Sequence, residues 1–299
     1  MNRPPDLKIG DNIAIAAPAR KISHEELRPA FEIIKMQGFN VVYNDNLFSS
    51  DNQFAGNDEL RTHEIQNYLD NPDIKAIFFA RGGYGSVRIV DYLDFSRFQQ
   101  HPKWLVGYSD ITVILNHLIR NFGTSALHAT MPVNFANNSS DSLEMLFNTL
   151  SGGTPEITGP YHKLNIHGSC QGKIVGGNLS VLYSLIGSKS FPYMEGNILF
   201  IEDLDEYLYH IDRMIMGLKR AQVFKDLKGV IVGGMTDMND NAVPFGSTAE
   251  EIIYEHLKEY DYPVCFGFPA GHSDRNLPLI IGGNANFIVN SSGFQLEYI

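Results

Sequence analysis

The sequence predicts an α/β protein with an N-terminal doubly wound, mostly parallel sheet and a smaller, β-rich C-terminal domain. Two observations lead to this fold class. Short apolar runs alternate with segments of helical period through the first half of the chain. Near residue 151 the residue pattern changes to short polar strands in which Gly, Pro and Thr recur. Alternating strands and helices are typical of a parallel sheet that carries helices on both faces.

The first half contains four strand patterns with little polar alternation, which is typical of strands buried on both faces. They cover residues 12–19, 40–44, 74–83 and 104–109. Helices are predicted over residues 24–38, where Leu27, Phe31 and Ile34 form a stripe that ends at Gly38, and over residues 58–71. Ligands of such sheets bind beyond the carboxyl ends of the strands, where "ARGGYG" and "GYSD" are both placed.

The second half predicts strands over residues 196–205, 229–235, 262–272 and 284–299, the last of them a terminal hairpin. Helices are predicted to begin near Asn178, Glu206 and Ser247. At 299 residues the length is typical of about two domains. We therefore expect an N-terminal domain over residues 1–150, a linker over 151–170 and a C-terminal domain over 171–299.

Composition and charge exclude several classes of partner. The net charge of −11 disfavours nucleic acid and anionic membranes. Two cysteines, Cys170 and Cys265, are too few and too far apart for a disulfide framework or a CxxC metal site, and buried thiols are expected. The sequence shows no signal peptide pattern and no run of about 18 apolar residues, so a cytoplasmic location is expected.

The stretch "GYSDI" places Ser109 at a corner between a strand and a helix. This is the position of a nucleophile elbow, although the second glycine of G-x-S-x-G is missing. The alternative is that Ser109 or Asp110 caps the helix that follows. The stretch alone favours the cap.

The stretch "ARGGYGS" follows another buried strand and contains three glycines whose backbone can approach a ligand closely. Backbone N–H groups in such a loop could form an oxyanion hole. The alternative is a loop whose glycines serve only its backbone conformation. It is not a phosphate loop, because neither GxxxxGK[ST] nor GxGxxG is present.

The polar residues that follow the strands of the second half include candidates for a catalytic base and acid. His272 follows a strand in a loop rich in Pro and Gly, whereas His117 and His128 fall within helix and strand patterns, where satisfied core residues are expected. Four carboxylates crowd the end of the strand at 196–205. Glu202 directly follows an apolar run and would need a partner there, while Asp203, Asp205 and Glu206 remain alternatives in register.

Five motifs in this order, "ARGGYGS", "GYSDIT", "GGNLSVLYSLIGS", "FIEDLDEYLYHIDRM" and "GFPAGHSDRNLPLIIGG", closely resemble the serine L,D-carboxypeptidases, the muramoyl-tetrapeptide carboxypeptidase family. The resemblance covers nearly the full length, and it favours the nucleophile over the cap at Ser109. It implies a cytoplasmic hydrolase, generally homodimeric and without metal or cofactor. Such enzymes release the terminal D-alanine from the tetrapeptide of recycled cell-wall muropeptides.

The resemblance also implies roles for individual residues. Ser109 would be the nucleophile of a triad assembled across the two domains, with Glu202 as the acid and His272 as the base. The backbone amides of Asp110 and of either Gly82 or Gly83 would form the oxyanion hole. A terminal carboxylate on the substrate needs a cationic or N–H partner, and the candidates near the motifs are Arg81, Arg213 and Arg275, with Tyr84 as a further candidate contact.

Two other functions compete with this interpretation. Immunity peptidases that resemble the microcin-C resistance proteins share the triad and cleave a peptidyl-nucleotide, but they need an aromatic platform for the base. The single tryptophan, Trp104, lies in a predicted strand, although 14 tyrosines and 19 phenylalanines could stack instead. The second competitor is a non-catalytic protein that binds small peptides. A changed Ser109, Glu202 or His272 would favour it, and all three are present.

Overall fold

The computed structural model describes residues 2–299, whose strands form two sheets. The strands are β1 (Asn12–Ala16), β2 (Asn40–Val42), β3 (Ile74–Phe79), β4 (Trp104–Gly107), β5 (Ala126–His128), β6 (Glu156–Pro160), β7 (Gly168–Asn178), β8 (Ile198–Leu204), β9 (Gly229–Thr236), β10 (Val264–Cys265), β11 (Leu279–Ile281), β12 (Asn284–Asn290) and β13 (Gly293–Tyr298). The helices are α1 (His24–Met36), α2 (Asp58–Asp70), α3 (Ser86–Ile89), α4 (Ser96–Gln100), α5 (Thr112–Phe122), α6 (Ser140–Leu150), α7 (Leu179–Ser184), α8 (Leu208–Arg220) and α9 (Ala249–Leu257).

The first sheet has the strand order β11-β5-β4-β3-β1-β2, and all its pairs are parallel except β11 with β5. Successive residues of β3 enter different cores: Phe78 packs into the core on one face of the sheet, and Ile77 and Phe79 into the core on the other. Because both faces are apolar, helices cover both. The doubly wound, mostly parallel sheet predicted from the sequence is thereby confirmed.

The second sheet is mixed, with the order β10-β9-β8-β7-β12-β13-β6. Strands β7 to β10 pair in parallel, whereas β12, β13 and β6 pair in an antiparallel manner, and β12 joins the two parts through β7. The predicted terminal hairpin corresponds to β12 and β13.

Two strands fall outside the division of the chain expected from its sequence. The segment 151–170, expected to be a linker, contains β6, which pairs with β13. Strand β11 belongs to the C-terminal half but adds to the edge of the first sheet. The C-terminal half of the chain therefore contributes one strand to the first sheet.

The predicted helix ends agree with the local geometry. A capping box between Ser23 and Glu26 begins α1, and Gly38, with φ of 87°, follows its last turn. Cys170 is half-buried, Cys265 is buried, and neither forms a disulfide. None of the helices between residues 2 and 299 is both long enough and apolar enough to cross a bilayer.

Candidate active site

Ser109 lies two residues beyond β4 in a backbone conformation that is unusual for a residue with a side chain. Its φ is 62°, in the left-handed region, and a short helical turn over residues 109–111 leads from it into α5. Such strain in a non-glycine residue is concentrated at functional sites. In the described part of the chain no side chain caps this turn or α5, so the capping role considered for Ser109 and Asp110 is not what the geometry shows.

The glycine-rich loop after β3 packs directly against this turn. A Cβ atom on Gly82 would lie 3.1 Å from Ser109 Oγ and 3.3 Å from the backbone N of Asp110. The Asp110 carboxylate is buried and accepts a 2.8 Å hydrogen bond from the backbone N–H of Ser86, and burial raises its pKa. The Asp110 side chain therefore ties the loop to the elbow, with the Gly82 backbone facing Ser109.

Glu202 and His272 form a hydrogen-bonded pair at the carboxyl ends of the second sheet. His272 Nδ1 lies 2.7 Å from Glu202 Oε2, and the backbone N–H of His272 donates to the same oxygen at 3.3 Å. Burial alone would raise the pKa of Glu202, but the His272 imidazole, aided by His128, outweighs burial and lowers it to about 2. Burial would lower the pKa of His272, but the Glu202 carboxylate outweighs burial and raises it. Glu202 is thus an ionised acceptor for the imidazole.

Glycines make room for this pair. Gly271 has φ of 115°, and a Cβ there would lie 2.7 Å from Glu202 Oε2. A Cβ on Gly233 would clash with the Ala270 carbonyl oxygen and would lie 3.2 Å from Glu202 Cβ. The loop before His272 can approach β8 closely only because side chains are absent at these two positions.

The other carboxylates at the end of β8 have different partners. Asp203 points away from Glu202, accepting hydrogen bonds from Asn178 Nδ2 and the Ser180 backbone N–H, and burial with the nearby Glu202 charge raises its pKa to about 7. Asp205 accepts from Asn239 Nδ2. Glu206 pairs with His210. The structure therefore brings only Glu202 of this group to His272.

Sequence reasoning missed the environment of His128, the last residue of β5. His117 has the partner expected of a core histidine, Ser190 Oγ at 2.8 Å, but within residues 2–299 neither ring nitrogen of the fully buried His128 has a hydrogen-bond partner. His128 Nε2 lies 4.0 Å from Glu202 Oε1, which also has no partner. The position of His128 could have indicated this environment. His128 ends β5, which pairs with β4, the strand that leads to Ser109, and His128 lies opposite Gly107.

A polar cavity of about 220 Å³ opens beside His272. The ring of Tyr108 lies against the His272 ring with 4.7 Å between centroids, and its hydroxyl donates to Asn134 Oδ1. The remaining lining residues are Asn137, Asn138, Ser273 and Asp274. Since Tyr108 precedes Ser109, this contact brings the elbow and the histidine loop to one cavity.

The three arginines predicted near the substrate already have partners. Arg81 pairs with Glu26 at 3.2 Å, Arg275 pairs with Asp141 at 2.7 Å, and the Arg213 guanidinium lies over the Tyr209 ring at 5.0 Å. The fourth candidate, Tyr84, is half-exposed near the ring of Phe54.

Arg20, which sequence reasoning did not single out, follows β1. Its stem packs on Gly83, so closely that a Cβ there would clash with Arg20 Cδ. Within residues 2–299 its guanidinium makes no ion pair or hydrogen bond. It lies beyond the carboxyl ends of β1 and β3, the neighbouring interior strands at which the direction of strand order reverses and where such sheets bind ligands.

Comparisons with known proteins agree with this architecture. The chain matches the family model of the LD-carboxypeptidase N-terminal domain over residues 13–129 and that of the C-terminal domain over residues 171–287. A probable murein peptide carboxypeptidase of Bacillus subtilis (strain 168) is 30% identical over 298 residues, spanning 95% of this chain and 90% of the relative.

Two solved structures share the fold over nearly the full length of both chains. The muramoyltetrapeptide carboxypeptidase from Oxalobacter formigenes superposes with a TM-score of 0.88 at 27% identity, covering 96% of this chain and 98% of that one. The microcin C7 self immunity protein MccF, in complex with aspartyl sulfamoyl adenosine, gives a TM-score of 0.88 at 22% identity with 98% of each chain covered, a likeness of fold alone. On the two matched domains and the full-length relative, the chain belongs to the LD-carboxypeptidase family of serine peptidases.

Proposed function

We propose that the protein hydrolyses the L,D amide bond that releases the terminal D-alanine from muramoyl tetrapeptide, in the recycling of cell-wall peptidoglycan. The observation that carries the proposal is the hydrogen bond between His272 and the buried Glu202, beside the strained turn at Ser109. Relatives whose names specify murein peptides support the choice of substrate.

In the proposed mechanism, Ser109 Oγ attacks the scissile carbonyl while His272 Nε2 takes its proton. Glu202 binds Nδ1, which leaves Nε2 as the basic nitrogen, and the carboxylate stabilises the imidazolium that forms. His272 then gives the proton to the departing amine of D-alanine. Water, activated by the same imidazole, hydrolyses the acyl-enzyme and regenerates Ser109.

The oxyanion would be held by backbone N–H groups of Asp110 and of Gly82 or Gly83. Asp110 N is at the start of the helical turn, and the Gly82 backbone faces Ser109 with no side chain between them. In this proposal the N-terminal domain, residues 1–150, carries the nucleophile, and the C-terminal domain, residues 171–299, carries the acid and the base. The proposal also includes a cytoplasmic location and a homodimer, as the family resemblance implies.

The proposal predicts the acid limb of the pH profile. His272 must be neutral to act as a base, and Glu202 raises its pKa above the ordinary value of 6.5. The value of kcat/KM is therefore expected to fall as the pH drops through a midpoint above 6.5. A midpoint at or below 6.5 would contradict the raised pKa of His272.

A second candidate is the cleavage of a peptidyl-nucleotide, favoured by the likeness to the microcin C7 self immunity protein and by exposed aromatic residues after β8. Trp104 is fully buried and donates to the Pro5 carbonyl, so it offers no platform for a base. Tyr207 and Tyr209 are exposed, with 5.6 Å between their ring centroids. A non-catalytic peptide-binding protein would not need the strained serine or the buried acid–base pair, and we do not favour it.

The test measures the release of D-alanine from muramoyl tetrapeptide by mass spectrometry, for the wild type and for Ser109→Ala. Aspartyl sulfamoyl adenosine serves as the alternative substrate. Ser184→Ala is the matched control, since Ser184 is an exposed serine of α7. Release by wild type and control, with a loss of several orders of magnitude in Ser109→Ala, supports the proposal. Cleavage of the nucleotide alone favours the second candidate, and release unchanged in Ser109→Ala would contradict the triad.

A further inference from the structure

The two oxygens of the Glu202 carboxylate differ in the hydrogen bonds that they accept. Both hydrogen bonds from His272 go to Oε2, whereas Oε1 is buried and has no donor among the residues that the structure describes. A buried ionised oxygen without a donor is strongly destabilising. Either the surroundings supply a donor to Oε1 during function, or the fold keeps an unsatisfied charge at its centre.

His128 is the group that faces this oxygen. Its Nε2 lies 4.0 Å from Oε1, and its ring is held edge-on against Phe200, with 4.8 Å between centroids and 82° between planes. Tyr108 packs edge-on from another direction at 5.7 Å. Both ring nitrogens are buried without partners, so the acceptor and the donor face each other across a gap about 1 Å longer than a hydrogen bond.

We propose that His128 is a positioning residue: in the working enzyme its Nε2–H donates to Glu202 Oε1, which fixes the carboxylate so that Oε2 stays aligned with His272 Nδ1. The proposal rests on the proposed function, in which His272 is the base. His128 has no contact with substrate in this scheme and acts only through Glu202.

The chemistry gives this hydrogen bond a measurable effect. The titratable groups that face His128 are Glu202 on β8 and Tyr108 at the elbow, with His272 beyond them. A donor on Oε1 draws negative charge away from Oε2. Without it, Glu202 would bind the Nδ1 proton more tightly and hold the imidazolium of His272 to higher pH, and the carboxylate would be free to rotate. Loss of His128 should therefore lower kcat and move the titration of His272 upward.

The experiment compares three substitutions that differ in where they place a donor. In His128→Gln the amide nitrogen reaches about as far as Nε2, in His128→Asn it reaches only about as far as Nδ1, and His128→Leu fills space without a donor. Histidine ring NMR gives the titration of His272 without any substrate. Kinetics of D-alanine release give kcat and KM, and thermal unfolding checks that each variant is folded.

We expect His128→Leu to lose about 10- to 100-fold in kcat, the range for one hydrogen bond to a charged group, with KM within about threefold. Its His272 titration should move to higher pH. His128→Gln should restore both quantities toward wild type, and His128→Asn should behave like Leu. If the Leu variant does not fold, the difference between Gln and Asn decides.

Two results would overturn the proposal. One is a His272 titration and kcat unchanged in the variant that lacks a donor at Nε2. The other is an equal loss with Gln, Asn and Leu, which would make His128 a packing residue only. The NMR arm keeps this test separate from the proposed function, because absence of D-alanine release by wild type would reject that function and leave the titration of His272 to be read.

Discussion

Replacing Gly82 by alanine inserts a methyl group into the space between the glycine-rich loop and the elbow. The Cβ would lie 3.0 Å from Ser109 Cβ, 3.1 Å from Ser109 Oγ and 3.3 Å from Asp110 N. An oxyanion must approach its N–H donors to about 2.7–3.1 Å. A methyl group this close to the Asp110 amide nitrogen would crowd the position in which, in the proposed mechanism, the carbonyl oxygen of a substrate binds.

Since the Asp110 amide is a proposed oxyanion donor, the expected loss is that of one such donor, about 10²–10³ in kcat. Gly82 does not have a positive φ, so alanine is permitted by its backbone. The tight contacts with Ser109 should cost about 1–3 kcal/mol in the free energy of unfolding, in line with other overpacked sites. A folded protein with a large kinetic defect is therefore the predicted outcome.

The assay is D-alanine release under saturating substrate, together with urea unfolding of each variant. Gly234→Ala is the matched control: Gly234 also lacks a positive φ, and a methyl group there meets its nearest neighbour, Thr236 Cγ2, at an ordinary 3.6 Å. The reasoning is refuted if Gly82→Ala keeps kcat within about threefold of wild type, or if its defect matches that of the control.

Three further predictions concern charged side chains. Arg20→Ala should raise KM about tenfold with little change in kcat, because Arg20 is free to bind the terminal carboxylate of the proposed substrate. Arg81→Ala should leave KM unchanged, because Arg81 pairs with Glu26. Equal KM values for the two variants would reject the binding of the carboxylate by Arg20. Burial raises the pKa of Glu64 from 4.5 to about 7. Between these two pH values the carboxyl keeps its proton in the folded state and loses it in the unfolded state. The free energy of unfolding therefore falls by about 3 kcal/mol as the pH rises through this range. Urea unfolding should show Glu64→Gln gaining on wild type at pH 8 but not at pH 4, and a gain at both would contradict the assignment. Lys103 Nζ donates to the carbonyls of Tyr68, Leu69 and Asn71 at the end of α2, so Lys103→Met should lower the free energy of unfolding by about 3 kcal/mol, and a loss under 0.5 kcal/mol would refute it.

The fold class could be predicted because strands buried on both faces carry their signal locally. The runs at β3 and β4 are apolar at nearly every position, which only a sheet covered on both sides explains. The pairing of β6 and the presence of β11 in the first sheet could not be predicted, for the opposite reason. Both strands are short, and their partners, β13 and β5, lie more than 130 residues away in the chain, so no local period indicates the pairing.

The candidate site divides in the same way. Ser109 and Glu202 stood out because a polar residue directly after an apolar strand needs an explanation in its own neighbourhood. The position of His128 beside Glu202 could not be predicted, because the packing of the two sheets brings these residues together. Arg81 and Arg275 looked available because their partners, Glu26 and Asp141, are distant in sequence. Arg20 reaches Gly83 through the adjacency of β1 and β3, a property of strand order.

The late strand β11 has a consequence for the protein during synthesis. Strand β5 has β4 on one side, but its other edge stays unpaired until Leu279 to Ile281 have been made, about 150 residues after His128. At ordinary translation rates this interval is roughly 10–30 s. An unpaired strand edge is a template for pairing with other chains. The nascent N-terminal sheet is therefore most exposed to aggregation while the second half is still being translated, and truncation before residue 279 would make that exposure permanent.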